Sequence, residues 1–119
     1  DPTIAILAIS GTALEHAARA GGVTVFSEIF ADRAYLPNGQ LVPRSVAGAV
    51  LHDARDATDR LIGYLKSGRM PVMGADPIAL AADSICVHGD SPDATEMARQ
   101  IRAQLEAEGV TASAFLSAV

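Results

Sequence analysis

The chain has 119 residues, of which 50% are hydrophobic, and it carries a net charge of −5 and a single cysteine, Cys86. This length suits one domain with one core, and the composition excludes a disordered or fibrous protein. The acidic balance argues against nucleic acid as a partner, the lone cysteine excludes an internal disulfide, and no apolar run is long enough to span a membrane. We expect a soluble, cytoplasmic protein. Because the chain begins at Asp1 without a methionine, we also expect it to be part of a longer protein.

The first thirty residues predict a strand, a short helix and a second strand. Residues 3–9, TIAILAI, form a continuous apolar run that is typical of a central strand buried on both faces. Thr12 and Glu15 have the spacing of a capping box, and the Gly21–Gly22 pair provides a helix end. Residues 23–30 repeat the strand pattern. Two strands joined through a helix predict a right-handed parallel crossover.

The next segment leaves the sheet and returns through a helix. Asn38 and Gly39 stand between two short apolar segments and predict a hairpin turn. Residues 53–68 predict a helix, because Asp53 suits the N-cap position and Gly68 the C-terminal end. Its apolar stripe comprises Ala57, Leu61, Ile62 and Leu65.

The last third of the chain predicts one more strand and one more helix. Residues 82–90 form the strand, and residues 91–109 form a helix with Ser91 as N-cap and Pro92 at the first helical position. The apolar stripe of this helix comprises Met97, Ala98, Ile101 and Leu105. Residues 110–119 are expected to form a last strand or a docked tail.

Polar residues follow each of the three predicted strands, at residues 10–12, 27–33 and 88–91. In a parallel β/α arrangement the carboxyl ends of the strands share one edge, and ligands bind there. We therefore expect the chemistry of this chain to lie at that edge.

The sequence His88-Gly89-Asp90 places an imidazole beside a carboxylate at a strand end. Such a pair suits acid–base catalysis or ligand binding. The alternative is a structural histidine followed by a helix cap. Cys86 is expected to be buried and inert.

A second polar cluster comprises Glu28, Asp32 and Arg33, and the predicted hairpin brings Arg44 back toward it. Arginine can hold a carboxylate or phosphate through two parallel hydrogen bonds while an acid handles protons or a cation. The alternative is a set of surface ion pairs of little energetic value. His52 is interpreted as part of a helix entry.

Two long motifs, SEIFADRAYLPNGQLVPRSVAGAVLHD and DSICVHGDSPDA, resemble the LamB/YcsF family, the family of the 5-oxoprolinase A subunit. The resemblance covers nearly the whole chain but only the C-terminal half of the family. It implies an α/β fold, with residues 1–119 forming about half of a seven-stranded β/α (TIM-like) barrel of the glycoside hydrolase/deacetylase-like type.

The resemblance also implies a function: ATP-dependent hydrolysis of 5-oxo-L-proline, a small lactam, to L-glutamate. The expected partners are subunits B and C, the expected cofactor is ATP with Mg²⁺, and no resident metal is expected. This half alone is expected to be inactive. The positions that match the family motifs are His88, Asp90 and Glu28 as catalytic candidates, and Asp32, Arg33 and Arg44 as candidates for binding substrate or ATP.

Two other functions remain open from the sequence. The chain can be a structural or assembly module whose motifs contact a partner, and the bare strand edges of half a barrel would favour self-association. It can also be a metal-dependent amide hydrolase with His88 and Asp90 as ligands, although two candidate ligands alone do not make a metal site.

Overall fold

The computed structural model describes residues 1–90 and 92–114 of the chain. Its elements, in chain order, are β1 (Ala5–Ile9), α1 (Ala13–Ala20), β2 (Thr24–Phe30), α2 (Ala54–Ser67), β3 (Arg69–Val72), β4 (Ala75–Ala79), β5 (Ser84–Cys86) and α3 (Ala94–Ala107). The described helices include none long and apolar enough to cross a membrane.

The main sheet has three parallel strands in the order β1-β2-β5. Phe30 pairs with Cys86, so β2 and β5 end side by side. β1 ends two residues earlier, where Ile9 pairs with Glu28. The predicted parallel arrangement of the first two strands is confirmed. The prediction of a central first strand is wrong for the described residues: β2 is central, β1 lies at the edge, and Leu7 is 46% exposed.

The first two helices begin at the predicted caps. The Thr12 hydroxyl accepts a hydrogen bond from the Glu15 N–H, and the Glu15 carboxylate accepts one from the Gly11 N–H. The Asp53 carboxylate caps α2 by accepting two main-chain N–H bonds. Gly68 ends α2 with a φ of 70°, in the left-handed region that favours glycine.

The third helix begins later than predicted. Pro92 and Asp93 form a turn, and α3 starts at Ala94, so the predicted placement of Pro92 at the first helical position is wrong. Asp93 occupies the cap position without a side-chain cap bond. The predicted cap, Ser91, lies outside the described residues. So does part of the predicted terminal strand or tail, whose described portion, residues 110–114, has no regular structure.

The hairpin of β3 and β4 was not predicted from the sequence. The two strands pair antiparallel around Gly74, which has a φ of 74°. Pro71 and Pro77 interrupt the strand pattern in the sequence, so the pattern does not predict two strands here.

The predicted hairpin at Asn38 and Gly39 is a tight loop. The Leu36 N–H donates to the Gln40 carbonyl at 2.7 Å, and Gly39 has a φ of 86°. The flanking segments form only one isolated bridge, between Tyr35 and Leu41. The turn is therefore confirmed, but no strand ladder extends from it among the described residues.

The helices pack on one face of the main sheet. Ile29 of β2 belongs to a cluster with residues of α2 and α3, while α1 packs against β1 and β2 through Ala18. The helices contribute Leu61, Tyr64, Met97 and Ile101 to this cluster. Because side chains alternate along a strand, the opposite face carries a different set. That set comprises Leu7, Phe26, Glu28 and Cys86, all at least partly exposed.

Candidate functional site

A cleft of about 180 Å³ lies where β2 and β5 end. It is lined by Asp32, Arg33, Arg44, Val50, Leu51, His52, His88, Asp90 and Met97. The fold thus gathers five of the six sequence-predicted site residues in one cleft. Glu28 does not line it.

Asp32 and His88 form a direct pair across the cleft wall. Asp32 is only 4% exposed, and its Oδ1 lies 2.9 Å from the His88 Nδ1. Its Oδ2 accepts the main-chain N–H of His88 at 3.2 Å. An ionised carboxylate only accepts hydrogen bonds, so beside ionised Asp32 the ring donates from Nδ1, and in the neutral imidazole Nε2 is then the acceptor.

The ring of His88 is also held on its face. Phe30 stacks against it with 5.2 Å between ring centroids and an interplanar angle of 19°. The Phe30 N–H donates to the hydroxyl of buried Tyr35 at 2.9 Å, which fixes the end of β2. His88 is therefore constrained through both its ring edge and its ring face.

Arg33 is a buried cation on the cleft wall. It is 7% exposed, and one of its terminal nitrogens donates to the Val42 carbonyl at 2.8 Å. Its Nε is buried and has no hydrogen-bond partner among the described residues. A buried donor without a partner is costly to the fold.

Arg44 and Asp90 meet at the exposed part of the cleft. The Arg44 guanidinium lies 3.0 Å from the Asp90 carboxylate. The hydrogen bond from Arg44 holds the pKa of Asp90 below its usual value. The sequence predicted a pair of His88 and Asp90, but the structure pairs His88 with Asp32 and Asp90 with Arg44. The catalytic roles of His88 and Asp90 stay predictions.

Glu28 lies outside the cleft, on the open face of the sheet. Its carboxylate accepts a hydrogen bond from the Ser84 hydroxyl at 3.0 Å. Burial raises the pKa of the neighbouring Cys86 thiol, and the carboxylates of Glu28 and Asp32 raise it further. The protonated, unreactive form of Cys86 is therefore favoured.

Two residues of this region were not predicted from the sequence. His52, interpreted as part of a helix entry, lines the cleft together with His88. Arg60, on α2, donates to the main-chain carbonyl of the last residue of β2 and to two carbonyls that follow it. A signal for Arg60 existed: it stands three residues after Ala57 and four before Tyr64, at the helical spacing of the buried stripe.

The cleft combines a histidine, a buried carboxylate that is hydrogen-bonded to it, and two arginines. This arrangement can take a proton from water or a hydroxyl group at Nε2 while the guanidinium groups bind an anion. Within residues 1–90 and 92–114, His, Cys, Asp and Glu side chains form no group of three arranged to hold a metal ion.

Comparisons of the whole chain with known proteins show which family it matches. The LamB/YcsF family model matches residues 1–119. The 5-oxoprolinase A subunit of Nocardia farcinica is 49% identical over 116 residues, which are 98% of this chain and 46% of that protein. The 5-oxoprolinase A subunit of Paracidovorax citrulli is 44% identical over 115 residues, which are 97% of this chain and 46% of that protein.

A solved structure agrees with these relatives. The crystal structure of the lactam utilization protein from Thermus thermophilus matches with a TM-score of 0.87 and 37% sequence identity, and the match covers 97% of this chain and 45% of that one. The chain thus spans a little less than half the length of the proteins it matches, and its mixed α/β fold is confirmed. Because the family model extends over every residue, the chain belongs to the LamB/YcsF family.

Proposed function

We propose that the chain is the C-terminal half of the A subunit of a 5-oxoprolinase, which hydrolyses 5-oxo-L-proline to L-glutamate with cleavage of ATP. The observation that carries this proposal is the Asp32–His88 pair beside Arg33 and Arg44. The names of the relatives from Nocardia farcinica and Paracidovorax citrulli support the same activity. Subunits B and C are the proposed partners, and the cytoplasm is the proposed location.

In the proposed reaction His88 acts as a base. Its Nε2 has no hydrogen-bond partner among the described residues and is free to accept a proton from water. The water oxygen bonds to the ring carbonyl carbon, the lactam C–N bond breaks, and the released nitrogen takes up a proton to become the amino group of glutamate. Amide resonance makes this step difficult, so transfer of the terminal phosphoryl group of ATP to the carbonyl oxygen, with release of ADP, would activate the ring. Water addition and C–N cleavage would then leave an acyl phosphate of glutamate, and a second water would release inorganic phosphate from it.

The two arginines fit an anionic ligand. Arg33 lines the cleft, and a guanidinium is a group that binds phosphate or carboxylate oxygens through paired hydrogen bonds. Arg44 is exposed and reaches the same cleft. Mg²⁺ usually binds through substrate phosphates with one or two protein carboxylates, and Asp90 is the exposed carboxylate of the cleft.

The half-barrel architecture is part of the proposal. Three parallel strands carry their helices on one face, and the opposite face bears Leu7 and Phe26 at least partly exposed. A closed β/α barrel would bury that face and pair the edges of β1 and β5. The rest of the barrel would come from the other half of the subunit, so this half alone should be inactive and prone to self-association.

The test is an ATP-dependent ring-opening assay on the full-length subunit reconstituted with its partners. His88→Gln should lower kcat by a factor on the order of 10² or more, as expected when acid–base help is lost. His16→Gln, at an exposed position of α1, is the matched control and should keep the wild-type rate. Wild-type turnover in His88→Gln would refute the assigned role. Absence of ring opening by the wild-type complex would refute the proposed activity and favour an assembly role for the open sheet face.

A further inference from the structure

Arg60 binds three main-chain carbonyls at the end of β2. One terminal nitrogen donates to the carbonyl of Arg33 at 2.7 Å. The other donates to the carbonyls of Phe30 and Ala31 at 3.0 Å and 2.7 Å. These carbonyls flank Asp32 on both sides along the chain. One side chain of α2 therefore fixes the short segment that carries Asp32.

The setting of Arg60 is unusual for a cation. It forms no ion pair with a described carboxylate, and its Nε is buried without a hydrogen-bond partner. Burial lowers the pKa of Arg60, while the nearby Tyr35 and Asp32 act in the opposite direction. The guanidinium lies over the ring of Tyr35, 5.9 Å from its centroid. Arg60 therefore does not act as a surface charge, and its hydrogen bonds go to the main chain around Asp32.

We propose that Arg60 is a positioning residue for the Asp32–His88 pair. By fixing the carbonyls of Phe30, Ala31 and Arg33, it sets the direction of the Asp32 carboxylate, so that both oxygens reach His88. The same bonds hold Phe30, whose ring stacks on His88. Through Asp32 and Phe30, Arg60 thus acts on both the ring-edge and the ring-face contact of the imidazole without touching it.

This role rests on the proposed function, but it has a consequence that is visible without substrate. The proton stays on Nδ1 only while Asp32 accepts it, since the partner of one ring nitrogen sets the tautomer of the other. Displacing the segment around Asp32 would release Nδ1 and let the proton move to Nε2. Arg60→Lys keeps the positive charge but loses the planar, spread donors that bind separate carbonyls.

The experiment reads the His88 tautomer by ¹⁵N NMR in the full-length subunit labelled at histidine, with the signal assigned by its loss in His88→Gln. Wild type should show the Nδ1–H form. Arg60→Lys and Arg60→Met should shift His88 toward the Nε2–H form. They should also lower kcat by a factor on the order of 10 to 10², with KM changed less than about twofold. Arg55→Met, at an exposed position of the same helix, is the control and should change neither quantity.

Each outcome decides the proposal. If His88 keeps the Nδ1–H form in folded Arg60→Lys, Arg60 does not position the pair and the proposal is wrong. If neither Arg60 variant folds, Arg60 serves the whole fold and the proposal is equally wrong. An inactive wild-type complex would refute the proposed function alone, because the tautomer is measured without turnover.

Discussion

Asp32→Asn should disable the cleft while leaving the fold in place. The asparagine side chain has the same shape, but only one of its two terminal atoms accepts a hydrogen bond. The main-chain N–H of His88 can only donate, so we expect the asparagine side-chain oxygen to face it. That oxygen then takes the place of Asp32 Oδ2, which now accepts this N–H at 3.2 Å. The amide nitrogen then faces Nδ1, now 2.9 Å from a carboxylate oxygen, and forces Nδ1 to become the acceptor. Nε2 carries the proton and no longer acts as a base.

The magnitude follows from the hydrogen bonds that the substitution weakens. A hydrogen bond to a charged group is worth about 1.5 to 3 kcal/mol and a neutral one about 1, so each of the two bonds loses about 0.5 to 2 kcal/mol and unfolding should become easier by about 1 to 4 kcal/mol. In a protein of the relatives' length this lowers Tm by roughly 2 to 16 °C. Loss of the base should lower kcat by a factor on the order of 10² or more, which corresponds to about 2.7 kcal/mol of activation free energy.

The assay pairs thermal unfolding with ATP-dependent ring opening on the reconstituted enzyme. Asp59→Asn changes an exposed aspartate of α2 in the same way and should alter neither quantity. Wild-type kcat in Asp32→Asn would refute the assignment of His88 as a base oriented by Asp32. A large fall in Tm together with unchanged kcat would reduce Asp32 to a structural residue.

Three further substitutions test other parts of the structure. Arg44→Lys should raise KM for ATP or 5-oxo-L-proline with Tm unchanged, because Arg44 is exposed. Arg33→Lys should raise KM and also lower Tm, because Arg33 is buried. Unchanged KM in both variants, measured by steady-state kinetics, would count against anion binding. Burial raises the pKa of Glu15, but hydrogen bonds from Ser27 and Gly11 outweigh it, so the net pKa is lowered from 4.5. The stabilisation by Glu15 is therefore present above pH 4.5 and is lost as pH falls through the lower folded-state pKa. The free energy of unfolding of Glu15→Gln, measured with denaturant at a series of pH values, should not show this loss. Wild type and Glu15→Gln with the same pH dependence of unfolding would contradict the prediction. Leu61→Ala removes a side chain that is 1% exposed and should cost about 2 to 5 kcal/mol in denaturant unfolding, while a cost below about 1 kcal/mol would show that the core collapses around the gap.

The sequence predicted what depends on neighbouring residues. Thr12 and Asp53 cap their helices as expected, because a cap is a contact within three residues. The shared edge of the strand ends was also predictable, since it follows from parallel pairing alone. The side-chain partners at that edge were not, because His88 finds Asp32 across 56 residues of chain, and nothing local favours Asp32 over the nearby Asp90.

Two other features were not predicted from the sequence, for different physical reasons. The β3–β4 hairpin contains Pro71 and Pro77, which mark breaks in a strand pattern but are tolerated in a short two-stranded ladder. Arg60 was passed over because a charged residue on a helix is usually solvated. Its main-chain carbonyl acceptors belong to a loop whose path the sequence does not reveal.

The contacts that hold His88 also determine when its side chain loses rotamer entropy. Phe30 on the ring face and Asp32 on the ring edge restrict both side-chain torsions before any ligand arrives. The loss of rotamer entropy is then part of folding and does not recur at each catalytic cycle. A ligand entering this cleft should meet an imidazole already in its working rotamer, and the free and bound forms of the protein should share the same χ1 and χ2 at this position.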